Sequence, residues 1–268
     1  MQLLSNQYQP FLIKAATVRC SGFFNLCAEG DLSSNLSSQR PASLTASIPN
    51  FDPRRVPVAG VDAHLPAVPL HGQTPAALRA RFQQPPAWQP EVRKESRFAH
   101  RQPAHAAVLV PLVQRQELTV LLTQRTLQLS THSGQIAFPG GKQDPDDADA
   151  IATALREAQE EVGLDASYVE VLGSLPVYET GTSFIVTPVV ALVEPAATIQ
   201  PNPQEVADVF EVPLRFLLNP ANHQRHRLQW QGVDREWFSM PYDDAGQERY
   251  IWGATAGMLR NFYRFMAA

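Results

Sequence analysis

One stretch, Ile151–Leu164, constrains the fold most because it has helical periodicity on two separate faces. Three of its glutamates, Glu157, Glu160 and Glu161, are spaced i, i+3 and i+4, which places them together on a polar face. Like charges at this spacing repel, and the helix dipole disfavours negative charge in the last turns. Such breaches of local rules are typical of functional sites, and a bound divalent cation would reverse both penalties. The other face is an apolar stripe of Ile151, Ala154, Leu155, Ala158 and Val162.

The sequence around this stretch predicts where the helix begins and ends. The pattern predicts a helix over Asp147–Val162, with Asp146 or Asp147 capping its start and Gly163 closing its end. The segment Pro139–Gly141 leads into the helix through a loop, and its two glycines let the backbone approach a ligand closely. Three carboxylates with a backbone carbonyl suit Mg²⁺ or Mn²⁺ rather than zinc. A solvated acidic face is the ordinary interpretation of an isolated triplet, but the glycine loop favours the metal.

The rest of the C-terminal two thirds mixes strands and helices. Two apolar runs flank the polar turn Gln114–Glu117 and predict a strand pair. Connections between such pairs are too short for parallel crossovers, which favours an α+β fold with a mixed β-sheet between helices. The predicted elements are strands Ala106–Val113, Leu118–Thr123, Val169–Tyr178, Ile185–Val193 and Glu205–Val212, a short helix through Leu217, a hairpin of His226–Gln231 and Glu236–Tyr242, a strand Arg249–Trp252 and a helix Gly253–Phe265, while Ile136–Phe138 is a short apolar piece.

The helix and its glycine loop resemble the box of the Nudix hydrolases. That box reads Gly, five residues, Glu, seven residues, then Arg-Glu-apolar-x-Glu-Glu-x-Gly-apolar, and its second half is matched at Arg156–Leu164. In the first half, the spacing from Gly141 to Arg156 is one residue longer than in the general box. Asp147 stands where the first glutamate is expected. The longer spacing is a feature of one subfamily, the coenzyme A pyrophosphatases.

An upstream signature of that subfamily is similar to the run Leu121–Gly141. The spacing is preserved, but Thr126 replaces the usual Ser or Ala and Ser130 replaces an Arg. The resemblance continues through Val186–Val190 and Trp252–Ala256, and it covers about residues 104–265. It implies a Nudix-like mixed sheet sandwiched between helices, with the box as a catalytic loop–helix–loop motif.

The resemblance also implies roles for individual residues. Glu157, Glu160 and Glu161 would bind Mg²⁺ or Mn²⁺ with help from the Gly140 carbonyl, and Arg156 would orient the glutamates by ion pairing. Two residues compete as the general base: Glu157 in the box, and Glu205 in a loop before a strand. The candidates for substrate contacts are Arg125, His132, Gly141 and Lys142.

The activity implied is hydrolysis of the pyrophosphate of coenzyme A and its derivatives. The products would be 4′-phosphopantetheine, or its acyl form, and adenosine 3′,5′-bisphosphate. One alternative is a Nudix hydrolase of another nucleoside diphosphate derivative, such as ADP-ribose or NADH. A second alternative is a non-catalytic Nudix module that senses a ligand, although such a module would be expected to lose metal-binding glutamates, and all three are present.

Charge and composition set further expectations. The 268 residues carry a net charge of −4, which gives no reason to expect a nucleic-acid partner, and no apolar run has the length of a membrane span. Residues 104–268 are expected to form the Nudix domain. Residues 66–103 are expected to form a linker with a short helix, and residues 1–65 a poorly structured extension, a targeting segment or the product of an upstream start.

Cys20 and Cys27 match no zinc pattern and suggest a reducing cytoplasm. The partner is expected to be a small-molecule substrate, and a homodimer stays open.

Overall fold

The main element of the fold is a mixed β-sheet. The computed structural model describes residues 51–97, 102–126, 134–230 and 232–268. The long strands of this sheet are β2 (Ala104–Gln114), β3 (Leu118–Arg125), β8 (Phe184–Val193) and β9 (Val206–Pro213). Strands β2 and β8 pair in parallel from Ala104↔Phe184 to Val113↔Val193, whereas β3 is antiparallel to both β2 and β9. The short strands are β4 (Ile136–Ala137), β5 (Gly140–Lys142), β6 (Val169–Ser174) and β7 (Tyr178–Glu179).

Helices cover both faces of this sheet. The strand β2 reads as a nearly continuous apolar run because successive side chains enter two different buried clusters. Leu109 and Val113 pack in the cluster that contains α2 (Ala150–Val162), whereas Val110 and Leu112 pack in the cluster that contains α4 (Gly253–Ala267). The expected α+β fold, a mixed sheet sandwiched between helices, is therefore confirmed.

A second, antiparallel sheet has four strands, in the order β1 (Val58–Val61), β10 (Gln224–Trp230), β11 (Val233–Asp244) and β12 (Gln247–Trp252). The predicted hairpin is present as β10 and β11, followed by β12. Strand β1, which no pattern predicted, pairs with β10 at the edge of the sheet. Two shorter helices are α1 (Pro75–Gln83), which Thr74 caps, and α3 (Leu214–Leu217).

The structure differs from the expected division at residues 65 and 103. The segment 51–97 belongs to the same folded unit as the rest of the described chain, since β1 adds a strand to the second sheet and Val68 and Leu78 lie in the main core. Only residues 1–50 of the expected N-terminal extension, with Cys20 and Cys27, lie outside the described residues. Within the described ranges, none of the helices has the length and apolar character needed to span a membrane.

A buried ion-pair cluster ties this segment to α4 and β10. The guanidinium of Arg260, whose side chain is 1% exposed, lies 2.8 Å from the carboxylate of Asp62 and 2.7 Å from that of Glu91. Arg225 contacts the same two carboxylates. Arg260 also donates to Nδ1 of His223, whose Nε2 lies 2.8 Å from the carbonyl of Leu217. This geometry requires a neutral imidazole that accepts at Nδ1 and donates at Nε2.

The buried histidine predicts a pH-dependent stability. Burial lowers the pKa of His223 to about 4, whereas the unfolded chain takes up the proton near pH 6.5. Because the unfolded state binds more protons between these values, the contribution of His223 to the free energy of unfolding should fall by about 2 kcal/mol from pH 7 to pH 5. Urea denaturation of the unmodified chain and of His223→Gln at both pH values isolates this contribution from those of other groups such as Glu161, whose raised pKa acts in the opposite direction. An equal change in the unmodified chain and the variant would contradict the assignment.

Candidate active site

Helix α2 begins three residues later than the sequence predicted. Its cap is Asp149, whose carboxylate accepts the amide of Ala152 at 2.8 Å, and neither Asp146 nor Asp147 caps it. The helix ends as expected at Gly163, which has a φ of 67° and donates its amide to the carbonyl of Gln159. Asp147 is therefore free to contact another group.

The glycine loop forms a short strand against the helix. In β5, Gly140 pairs with Val108 and Gly141 pairs with Ala107, a strand that the sequence did not predict. A Cβ on Gly141 would lie 2.5 Å from the carboxylate of Glu157, and a Cβ on Gly140 would lie 2.5 Å from the carbonyl of Ala107. Both positions need glycine because backbone and carboxylate approach closely here.

Glu161 is the most buried of the helix glutamates. Its side chain is 4% exposed, and its carboxylate accepts the amide of Gly140 at 3.2 Å. The guanidinium of Arg125 lies 3.5 Å from the other oxygen. Burial raises the pKa of Glu161 to about 7, and the nearby charges of Glu157 and Glu205 add to this effect. Burial likewise raises the pKa of Glu157, and the charges of Glu160 and Glu205 contribute.

Glu205 comes to this cluster from the loop before β9. The loop is fixed to the end of α2, since the amide of Asn202 donates to the carbonyl of Glu161 at 2.8 Å. It is also fixed to the end of β3, since the amide of Thr126 donates to the carbonyl of Glu205 at 3.0 Å. The Asn202 side chain lies 3.5 Å from the Glu205 carboxylate. Sequence reasoning missed Asn202, and no motif marks it.

Arg156 connects the helix carboxylates to the glycine loop. Its guanidinium lies 3.0 Å from the carboxylate of Glu157 and 3.1 Å from that of Glu160, and it donates to the carbonyl of Lys142 at 3.2 Å. On its other side it makes two hydrogen bonds of 2.9 Å to Asp147. These bonds raise the pKa of Arg156 and lower that of Asp147, so both groups stay charged.

Asp147 was not among the predicted site residues, although its offset from Gly141 was a usable signal. We expect Asp147→Asn to keep the fold and to lower turnover about tenfold, because groups that orient ligands are typically worth ten- to a hundredfold. Asp144→Asn is the matched control, since Asp144 is 62% exposed and 3.9 Å from Arg156. Steady-state kinetics of both variants check this. Equal kinetics in the two would exclude a special role for Asp147.

The remaining predicted contacts differ in position. The Arg125 side chain lies beside Glu161, and its buried Nε has no hydrogen-bond acceptor among the described residues. The Lys142 side chain is exposed next to the glycines. His132 lies outside the described residues, and so does Ser130, which replaces an arginine of the subfamily signature.

The oxygen donors of the site, carboxylates and a backbone carbonyl, are those that divalent cations such as Mg²⁺ prefer. The charge of Glu205 acts on both Glu157 and Glu161, and Gly141 lets the Glu157 carboxylate lie where any side chain at that position would collide with it. Within the part of the chain that the structure describes, no three acidic, histidine or cysteine side chains already form a ligand set. Arg156 contacts one oxygen of Glu157 and one oxygen of Glu160, so the second oxygen of each carboxylate can still face a cation. The ligand role of the Gly140 carbonyl stays a prediction.

Comparison with known proteins gives consistent matches. The model of the family described as NUDIX domain matches residues 103–231. A relative named Uncharacterized Nudix hydrolase NudL, from Yersinia enterocolitica serotype O:8 / biotype 1B, is 42% identical over 189 residues, which is 70% of this chain and 91% of the relative. A relative of the same name from Yersinia pestis (strain Pestoides F) is 42% identical over 58% of this chain and 76% of its own.

Two solved structures are also similar to part of the chain. The binary complex of a C. elegans Ap4A hydrolase has 22% identity and a TM-score of 0.36, covering 44% of this chain and 85% of its own. The NUDIX domain of Shewanella oneidensis NrtR, complexed with ADP ribose, has 23% identity and a TM-score of 0.34, covering 53% and 84%.

Proposed function

The chain belongs to the Nudix hydrolase family, and from this membership and its acidic site we propose that it hydrolyses the pyrophosphate bond of coenzyme A and its derivatives. The products would be 4′-phosphopantetheine, or its acyl form, and adenosine 3′,5′-bisphosphate. The observation that carries the proposal is the packing of the Glu157 carboxylate against Gly141, with Glu205 near enough to raise the pKa of both Glu157 and Glu161. A cation that neutralises these carboxylates would also draw an anionic pyrophosphate to them.

Nudix hydrolases generally use divalent metal ions such as Mg²⁺ or Mn²⁺. Glu157, Glu160 and Glu161 would hold the ion together with the Gly140 carbonyl, with Arg156 and Asp147 restricting the rotamers of the first two glutamates. A bound divalent ion polarises phosphoryl oxygens and lowers the pKa of bound water.

The general base is assigned to Glu205 rather than Glu157. The carboxylate of Glu157 already accepts a charge-assisted hydrogen bond of 3.0 Å from Arg156, which favours its ionised form but uses one of its oxygens. Among the described residues, the Glu205 carboxylate has one long contact of 3.5 Å, from the Asn202 amide, so it has more oxygen lone pairs free to accept a hydrogen bond from the attacking water. Both assignments predict loss of activity on substitution by Gln, and the pH dependence of the residual rate separates them.

Substrate contacts are assigned to the cations and the glycine beside the carboxylates. Arg125 has donors beyond the one that contacts Glu161, and the exposed side chain of Lys142 can reach a phosphate in solvent. Gly141 allows a phosphate oxygen to approach the backbone closely. The choice of coenzyme A over other diphosphates rests on the one-residue expansion before Arg156 and on the run Leu121–Gly141.

Product analysis by mass spectrometry tests the substrate. The purified chain with Mg²⁺ or Mn²⁺ is incubated with coenzyme A, an acyl-coenzyme A, ADP-ribose and NADH. We expect adenosine 3′,5′-bisphosphate and phosphopantetheine from the first, and the acyl form of the latter from the second. Preferential cleavage of ADP-ribose or NADH would replace coenzyme A as the substrate, and tight binding without cleavage would indicate a ligand-sensing module.

A further inference from the structure

Arg249 of β12 is a buried cation that no sequence motif identified. Its side chain is 6% exposed, and its guanidinium lies 2.7 Å from the carboxylate of Asp208 and 2.9 Å from that of Asp244. It also donates to the side-chain oxygen of Gln124 at 3.2 Å and lies 4.3 Å from the centre of the Phe210 ring. One side chain therefore joins the second sheet to β3 and β9 of the main sheet.

The contacts of Arg249 meet the main sheet at a bulge. Along β3 and β9, Gln124 pairs with Asp208, but the next residue, Arg125, pairs with Val206, so one residue of β9 is left over. A bulge redirects the side chains that follow it and is common beside active sites. Here Arg125 follows on one strand, and Glu205 immediately precedes Val206 on the other. Both residues belong to the candidate site.

We infer that Arg249 is a positioning residue that fixes this bulge and thereby places Arg125 and Glu205 against the carboxylates of α2. Its fork contacts Gln124 and Asp208, the last pair before the bulge, at the same time as Asp244. A lysine has one compact charge in place of this planar fork and cannot make all of these contacts at once. The roles of Glu205 and Arg125 rest on the proposed function, whereas the link between Arg249 and the bulge does not.

Kinetics of Arg249→Met test the link through activity. We expect turnover of the best substrate to fall tenfold or more, because displacements of about 1 Å far from the chemistry can cost about a hundredfold. Arg225→Met is the matched control: Arg225 also contacts two carboxylates and lies 4.8 Å from a phenylalanine ring, but it has no contact with β3 or β9 among those described. The control should lose stability and keep its turnover when assayed below its Tm.

A double-mutant cycle separates positioning from a general loss of structure. If Arg249 acts through Glu205, then Arg249→Met should have little further effect in a Glu205→Gln background, since coupled residues are not additive. Arg249→Lys should retain part of the activity in the Glu205 background. Additive effects of Arg249→Met and Glu205→Gln, or equal turnover losses in Arg249→Met and Arg225→Met, would overturn the inference.

Hydrogen exchange tests the same link without any substrate. The amide of Thr126 donates to the carbonyl of Glu205, so its exchange reports directly on the pairing at the bulge. We expect faster exchange of this amide in Arg249→Met but not in Arg225→Met, and unchanged exchange would overturn the inference. If Arg249→Met does not fold, Gln124→Met removes one contact and should show the same effect. A protein that cleaves no diphosphate but shows this exchange pattern would contradict the proposed function alone.

Discussion

Replacing Glu161 with Gln should abolish most of the activity while leaving the fold intact. The side chain is almost fully buried, and Gln has nearly the same size, so packing is kept. The substitution removes the charge that a divalent cation would bind, and we expect turnover with Mg²⁺ to fall at least about a hundredfold, beyond the ten- to hundredfold typical of groups that only orient ligands.

Stability measured on the same variant distinguishes loss of a ligand from loss of structure. Burial raises the pKa of Glu161 to about 7, which means that the folded protein tolerates the charged form poorly. The neutral amide should therefore give a Tm at pH 8 that is equal to or higher than that of the unmodified chain. Glu194→Gln, at an exposed glutamate after β8, is the control and should change neither quantity. Near-normal metal-dependent turnover of Glu161→Gln would show that Glu161 is not a ligand.

Helix α2 was predictable because its signals are local. The apolar stripe, the acidic face and the closing Gly163 all lie within one continuous stretch, and α2 follows them closely. The starting residue was less certain because three nearby aspartates can all cap a helix, and the structure uses Asp149. Asp147, one of the two predicted caps, makes its strongest contacts nine residues away, with Arg156. Local propensity does not rank alternatives of this kind.

The missed features depend on contacts between distant parts of the chain. Strand β1 has only four residues, which is too short for a clear periodic pattern. Its partner β10 lies more than 160 positions later, so no turn signal links the two strands. The role of Arg249 likewise depends on a bulge between β3 and β9 that becomes visible only when the pairing is known. A strand predicted over Val169–Tyr178 divides into β6 and β7, and Pro176, which lacks an amide donor, lies between them.

Deleting the residues before Val68 should severely destabilise the protein, in contrast to what the sequence alone suggests. The deletion removes β1, which pairs with His226 and Arg225, and it removes Asp62. Arg260 would then keep only Glu91 as an ion-pair partner among the described residues. Breaking a buried ion pair by removing one partner costs about 3–5 kcal/mol, a large fraction of the 5–15 kcal/mol that typically stabilises a domain.

Thermal unfolding of two truncated chains measures this effect. A chain that begins at Phe51 retains every contact described above and serves as the matched control, whereas a chain that begins at Val68 lacks β1 and Asp62. We expect the second chain to have a much lower Tm than the first or to be recovered unfolded. Asp62→Ala in the full chain should account for part of the loss, because it breaks the ion pairs but leaves β1 in place. Equal Tm values for the two truncated chains would mean that residues 51–67 contact the domain without stabilising it. The stably folding part of the chain would then begin near residue 65, as the sequence predicted.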